Sequence, residues 1–150
     1  MQLACIVLVV SCTYIGYKLS QKYKIKEKLY YSFVSFCASY TANLEYKLDK
    51  LSALFSSPSY SSEFITIKDA YYSGKDISLK YLTQQEANYI KDFFNLLGKN
   101  DARTQIKEVE FFSKYFNKKY EEVSSESKSK ALLVLKLGVF VGVLLCIIII

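Results

Sequence analysis

The chain has no histidine and no tryptophan, one proline, one arginine and five glycines in 150 residues. Each shortage excludes something. Without histidine, Ser-His-Asp and Cys-His catalysis and most zinc sites drop out. No G-x-G-x-x-G and no G-K-[ST] run occurs, so the usual phosphate cradles are missing. The four cysteines, Cys5, Cys12, Cys37 and Cys146, form no C-x-x-C pair. No disulfide framework follows from them, which suits a reducing cytoplasm. Cys37 falls on an apolar stripe and reads as a core cysteine. The acidic pairs Glu108/Glu110 and Glu121/Glu122 sit in lysine-rich sequence and read as solvated helix faces. No catalytic, cofactor-binding or metal-ligating residue is expected, and no small-molecule substrate.

Charge is also missing, and from particular places. Gln2–Tyr17 carries no charged side chain, and Ala131–Ile150 carries only Lys136. At about 1.5 Å per residue these runs would span roughly 24 and 30 Å as helices, against a hydrocarbon core of about 30 Å. The first is short but tolerable with local bilayer thinning. Lys136 would sit only about 9 Å inside the second, close enough for its ammonium to snorkel to the headgroups. The sequence therefore predicts transmembrane helices at 2–17 and 131–150 around a soluble domain at 18–130. Lys18, Lys22, Lys24, Lys26 and Lys28 follow the first run, and Lys128 and Lys130 precede the second. Basic inner flanks place the domain in the cytoplasm and both termini outside. Lys18 and Lys136 are the expected membrane anchors, in contact with lipid.

A second reading of the N-terminus starts from Val9-Val10-Ser11-Cys12, which resembles a bacterial lipobox. It would put a lipid on Cys12 and make the protein an extracytoplasmic lipoprotein of unknown binding role. Met1-Gln2 supplies no basic n-region, and the lysines just downstream oppose it.

The net charge of +6 does not point to nucleic acid. Sequence-reading faces rely on arginine forks, and Arg103 is the only arginine among nineteen lysines. The juxtamembrane lysines are accounted for by topology and by anionic lipid.

Periodicity makes the middle all-α. Leu29, Phe33, Phe36 or Cys37, Tyr40, Leu44, Leu48, Leu51 and Phe55 recur at helical spacing, predicting one helix over Lys18–Phe55 that ends at Ser56–Ser59 around Pro58. Ser62–Tyr72 is a short second helix with Phe64, Ile65, Ala70 and Tyr71 inward and Gly74 at its end. Asp76–Leu82 reads as a connection or a single turn. Thr83 with Glu86 forms a capping box. It opens a helix with Ala87, Ile90, Phe93, Phe94 and Leu97 inward, closed by Gly98 in a left-handed conformation. Asn100 or Asp101 caps the last helix. That helix carries Ile106, Val109, Phe112, Phe116, Tyr120 and Val123 at helical spacing and continues into the final apolar run. The expected architecture is an antiparallel helical bundle between two transmembrane helices.

At Leu97–Gln105 the sequence Leu-Gly-Lys-Asn-Asp-Ala-Arg-Thr-Gln resembles the L-G-x-[ST]-D-x-x-x-Q stretch of the stage III sporulation protein AB family, with Asn100 in the Ser/Thr position. The run from Lys128 through Lys136 to Gly138 is similar to the family's lysine-bearing entry into a terminal leucine- and isoleucine-rich segment. The first long helix matches in layout. It lacks the Thr-Pro-Leu break common in relatives, since Ser39–Leu51 holds Asn43-Leu44-Glu45-Tyr46 and no proline.

The resemblance implies an endospore former and a helical domain like the cytoplasmic domains of the type II secretion platform protein. It implies a non-enzymatic platform component of the channel joining mother cell and forespore, in the mother-cell membrane. Its partners would be other channel proteins and the ATPase stage III sporulation protein AA. Gly98, Asn100, Asp101 and Gln105 then form either a helix-reversing turn or a partner-docking motif.

Overall fold

The computed structural model describes the backbone of residues 2–46, 51–77 and 81–149. It describes their side chains apart from 2–9, 142–149 and scattered positions within 12–22 and 130–138. The elements are α1 (Gln2–Tyr46), α2 (Leu51–Leu54), α3 (Ser62–Tyr72), α4 (Gln84–Leu96) and α5 (Ala102–Ile149). Among the described residues there is no strand, so the all-α expectation holds. Two compact units emerge: Lys28–Tyr120, and the pair of segments Met1–Glu27 and Glu121–Ile150.

The unit Lys28–Tyr120 is built around aromatic rings. Phe33 of α1 stacks on Phe116 of α5 with centroids 4.6 Å apart. It also meets Phe64 of α3 edge-on at 4.9 Å and lies within 6.1 Å of Phe93 and Phe94 of α4. Leu29, Ile67, Ile90 and Val109 fill the space around these rings and are fully buried. Aromatic pairs at such distances add about 0.5–1.5 kcal/mol each beyond the area they bury. The contacts also give direction. Leu96, Phe93 and Tyr89 of α4 meet Gln105, Phe112 and Tyr115 of α5 in reverse order. Tyr40, Phe33 and Tyr31 of α1 meet Gln105, Phe116 and Tyr120 in reverse order as well. Both α1 and α4 therefore run antiparallel to α5.

The expectation of one helix through Phe55 is corrected. A straight helix would hold Phe36 and Phe55 roughly 28 Å apart. Instead their rings stack at 4.7 Å and 8°. The chain has turned back between them, and α1 ends at Tyr46. Burying two phenylalanines together outweighs continuing an apolar stripe into solvent. Leu48 lies outside the described residues. On α1 it is Asn43, at 5 % exposure, that is buried, while Leu44 is only half-buried.

Helix α3 has the bounds the sequence predicts, but its inward face is Phe64 and Ile67, with Ile65 exposed. Phe64, Ile67 and the half-buried Tyr71 follow the three-and-four spacing that Ile65 leaves. The buried Ser32 fastens this helix to α1. Its Oγ accepts from the Ser61 N–H at 2.9 Å and donates to the Lys28 carbonyl at 2.9 Å. Ser61 in turn caps α3 by accepting from the Phe64 N–H. The Thr83–Glu86 capping box is formed on both sides, and the five predicted inward residues of α4 and its end are buried.

In the other unit, Ser124 donates to a Glu27 carboxylate oxygen at 2.8 Å, and Ser127 is buried. Val10, Tyr14 and Tyr17 on α1 and Leu132, Leu133, Leu137, Val139, Phe140 and Val141 on α5 are exposed. The predicted flanking transmembrane helices are not met among the described residues: no helix there is long and apolar enough to cross a membrane. Much of the apolar run at each end, including Cys5, Cys12 and Cys146, falls on side chains outside the described set.

Candidate functional site

The turn at Leu97–Gln105 is where the sequence places its motif, and each motif residue has a distinct local role. Leu97 is buried beneath the turn. Gly98 has φ +76°, the left-handed conformation expected of a helix-closing glycine. An added Cβ there would meet nothing within 4 Å. Backbone conformation, and not space, is what requires glycine. Asp101 is the cap of α5: its carboxylate accepts from the Thr104 N–H at 3.3 Å. Hydrogen bonds from Thr104, side chain and backbone, hold the Asp101 carboxyl below its usual range. Asn100 is not the cap. Its amide donates to both carboxylate oxygens of Glu108 at 2.9 Å.

Gln105 joins three helices. It is 3 % exposed. Its amide nitrogen donates to the Leu96 carbonyl at 2.9 Å, closing the open end of α4. Its amide oxygen accepts from the Tyr40 hydroxyl of α1 at 2.8 Å, across 65 positions of sequence. Burial raises the Tyr40 pKa, against the lowering effect of a backbone hydrogen bond at Gly98. A glutamine serves both neighbours because one carboxamide is donor and acceptor at once.

The turn therefore has two sides. Leu97, Gln105 and Tyr40 form a buried clamp, while Gly98, Lys99, Asn100 and Asp101 are exposed. Lys99 donates to the Asn95 side chain at 2.6 Å. Nothing in this arrangement is an activated nucleophile. Tyr40 is engaged with an amide, and burial pushes the Cys37 thiol up to about 12. Among the described residues no cluster of His, Cys, Asp or Glu is placed to hold a metal. Lys18 and Lys136 belong to the other unit and are both exposed, with the Lys18 ammonium 5.7 Å from the Tyr14 ring centroid. Tyr40 was legible in the sequence only as a stripe residue. Asn43, one turn further along α1, has a buried amide nitrogen without a hydrogen-bond partner among the described residues, and its only signal was a polar residue beside an apolar stripe.

The profile of stage III sporulation protein AB matches residues 72–150, more than half of the chain. The chain belongs to the stage III sporulation protein AB family. Membership implies a role in stage III of sporulation. The match covers α4, the motif turn and α5, and leaves Tyr40 outside it. The family turn is thus clamped by a residue from beyond the matched segment. No curated protein and no solved structure matches this chain.

Proposed function

We propose that this member of the stage III sporulation protein AB family is a non-enzymatic platform component of the mother-cell to forespore channel. It is held in the mother-cell membrane by its two apolar ends, with 18–130 in the cytoplasm, and it couples other channel proteins to the ATPase stage III sporulation protein AA. The observation that carries the reading is the exposure of Leu132, Leu133, Leu137 and Phe140 on the helix that leaves the family turn. At 3.6 residues per turn these residues fall within roughly 140° of α5, a broad apolar face that lipid would cover. Lys18 beside Tyr14 fits an interfacial anchor at the other end. The motif turn offers its exposed side, Gly98–Asp101, to a partner.

The test is accessibility. With Cys5, Cys12, Cys37 and Cys146 replaced by alanine and Ser59→Cys introduced at an exposed site, an impermeant maleimide should fail to label intact cells and should label after lysis. Labelling of intact cells would place the domain outside, remove the ATPase from reach and favour a lipid on Cys12. A companion experiment separates structure from docking at the turn. Asp101→Ala that leaves melting unchanged yet abolishes channel assembly makes the turn a docking motif. Loss of both together makes it a cap.

A further inference from the structure

The outward face of α5 in the unit Lys28–Tyr120 carries an ordered chemistry that the turn does not use. Arg103, Lys107, Phe111, Lys114 and Lys118 follow a helical spacing of four, four, three and four, so they form one line along the helix. The line lies opposite the buried Gln105, Val109 and Phe116. All five are exposed, Phe111 by 61 %. Among the described residues none of the four cations is in an ion pair. Phe111 is also the outer edge of an aromatic patch. Its ring meets Phe112 edge-on at 5.7 Å, Phe112 meets Tyr89 at 5.2 Å, and Tyr89 lies 4.1 Å from Tyr115.

We propose that this stripe docks an acidic amphipathic helix of a partner protein, carboxylates against the cations and an apolar side chain against Phe111. The inference does not depend on the platform reading. Charge complementarity sets the sign of the partner. Its class follows from the borders: the carboxylates of Glu108 and Glu110 flank the stripe. A continuous phosphate backbone would be repelled by them, whereas a helix with spaced carboxylates meets only the cations. A central aromatic with cations around it is the composition that concentrates binding energy at protein interfaces. The stripe is roughly 22 Å long, about four turns of a partner helix.

The experiment uses the purified full-length chain and a fluorescent helical peptide of matching length, with glutamates spaced to face the four cations around one leucine. Saturable binding that weakens as salt rises is expected. The pair Lys107→Glu with Lys114→Glu should abolish it and should confer binding to the same peptide with lysines for glutamates. Phe111→Ser should weaken it roughly tenfold or more without moving the melting temperature, because the ring is exposed. Three results would overturn the proposal: no saturable binding by the wild-type chain, binding indifferent to charge reversal, or displacement of the peptide by oligoribonucleotide or anionic vesicles that depend on the same lysines.

Discussion

The two compact units use apolar residues in opposite ways. In Lys28–Tyr120 they fall on one stripe of each helix and are buried against rings from the other helices, as with Phe33, Phe64, Phe93 and Phe116. In the unit formed by the chain's ends, Leu132, Leu133, Leu137, Val139, Phe140 and Val141 lie on one broad face of α5 and remain exposed. A one-sided stripe can be satisfied by neighbouring helices of the same chain. A broad apolar face that is left exposed needs a cover from outside it.

The sharpest way to break this comparison is to remove one ring from each unit. Phe33→Ala should destabilise the unit Lys28–Tyr120 by about 3–5 kcal/mol, read by denaturant unfolding followed by circular dichroism. Phe140→Ala should leave that transition unchanged. Equal losses would mean that the exposed helix packs within the protein after all. Next in size is the clamp. Gln105→Leu takes the acceptor from the Tyr40 hydroxyl and one of two donors from the Leu96 carbonyl, and should cost about 1–3 kcal/mol. Tyr40→Phe should cost less, and the double variant should recover part of the sum in a double-mutant cycle. Full additivity would show that the two side chains act separately. Gly98→Val should cost about 1–2 kcal/mol, because a β-branched residue resists the left-handed conformation, and Gly98→Asn should cost less.

The smallest effect under ordinary conditions concerns pH. Cys37, lifted to about 12, and Tyr40, Tyr60 and Tyr72, lifted chiefly by burial, all keep their protons more firmly when folded. Their contribution is complete below the pKa values of the unfolded chain, near 9 for the thiol, and is lost as pH rises through the folded values. Stability should therefore be flat with respect to these groups near neutrality and fall in alkali. A disulfide reagent near pH 8 should modify Cys37 only on unfolding. Ready labelling of the native protein would mean that α1 opens locally.

Much of the unit Lys28–Tyr120 was legible because local chemistry wrote it. The Thr83–Glu86 box, the Gly98 stop, a cap at Asn100 or Asp101 and the bounds of α3 each need only residues within a turn of one another. What was misread needed distant partners. Leu44 and Ile65 had the right character but the wrong azimuth, since Asn43 and Ile67 face the core. The helix expected through Phe55 obeyed the apolar period, yet Phe55 lies on Phe36.

The sequence by itself determined the all-helical class, the caps, the aromatic supply of the core and membership of the stage III sporulation protein AB family, because all of these are carried by spacing and short motifs. Only the tertiary structure decided that Gln105 is a clamp as well as a motif residue. The bond from Tyr40 spans 65 positions, and a carboxamide has no local preference that would name so distant a partner. It also decided that Arg103, Lys107, Lys114 and Lys118 share one exposed face of α5, since which helix face stays outside depends on how the rings beneath it pack.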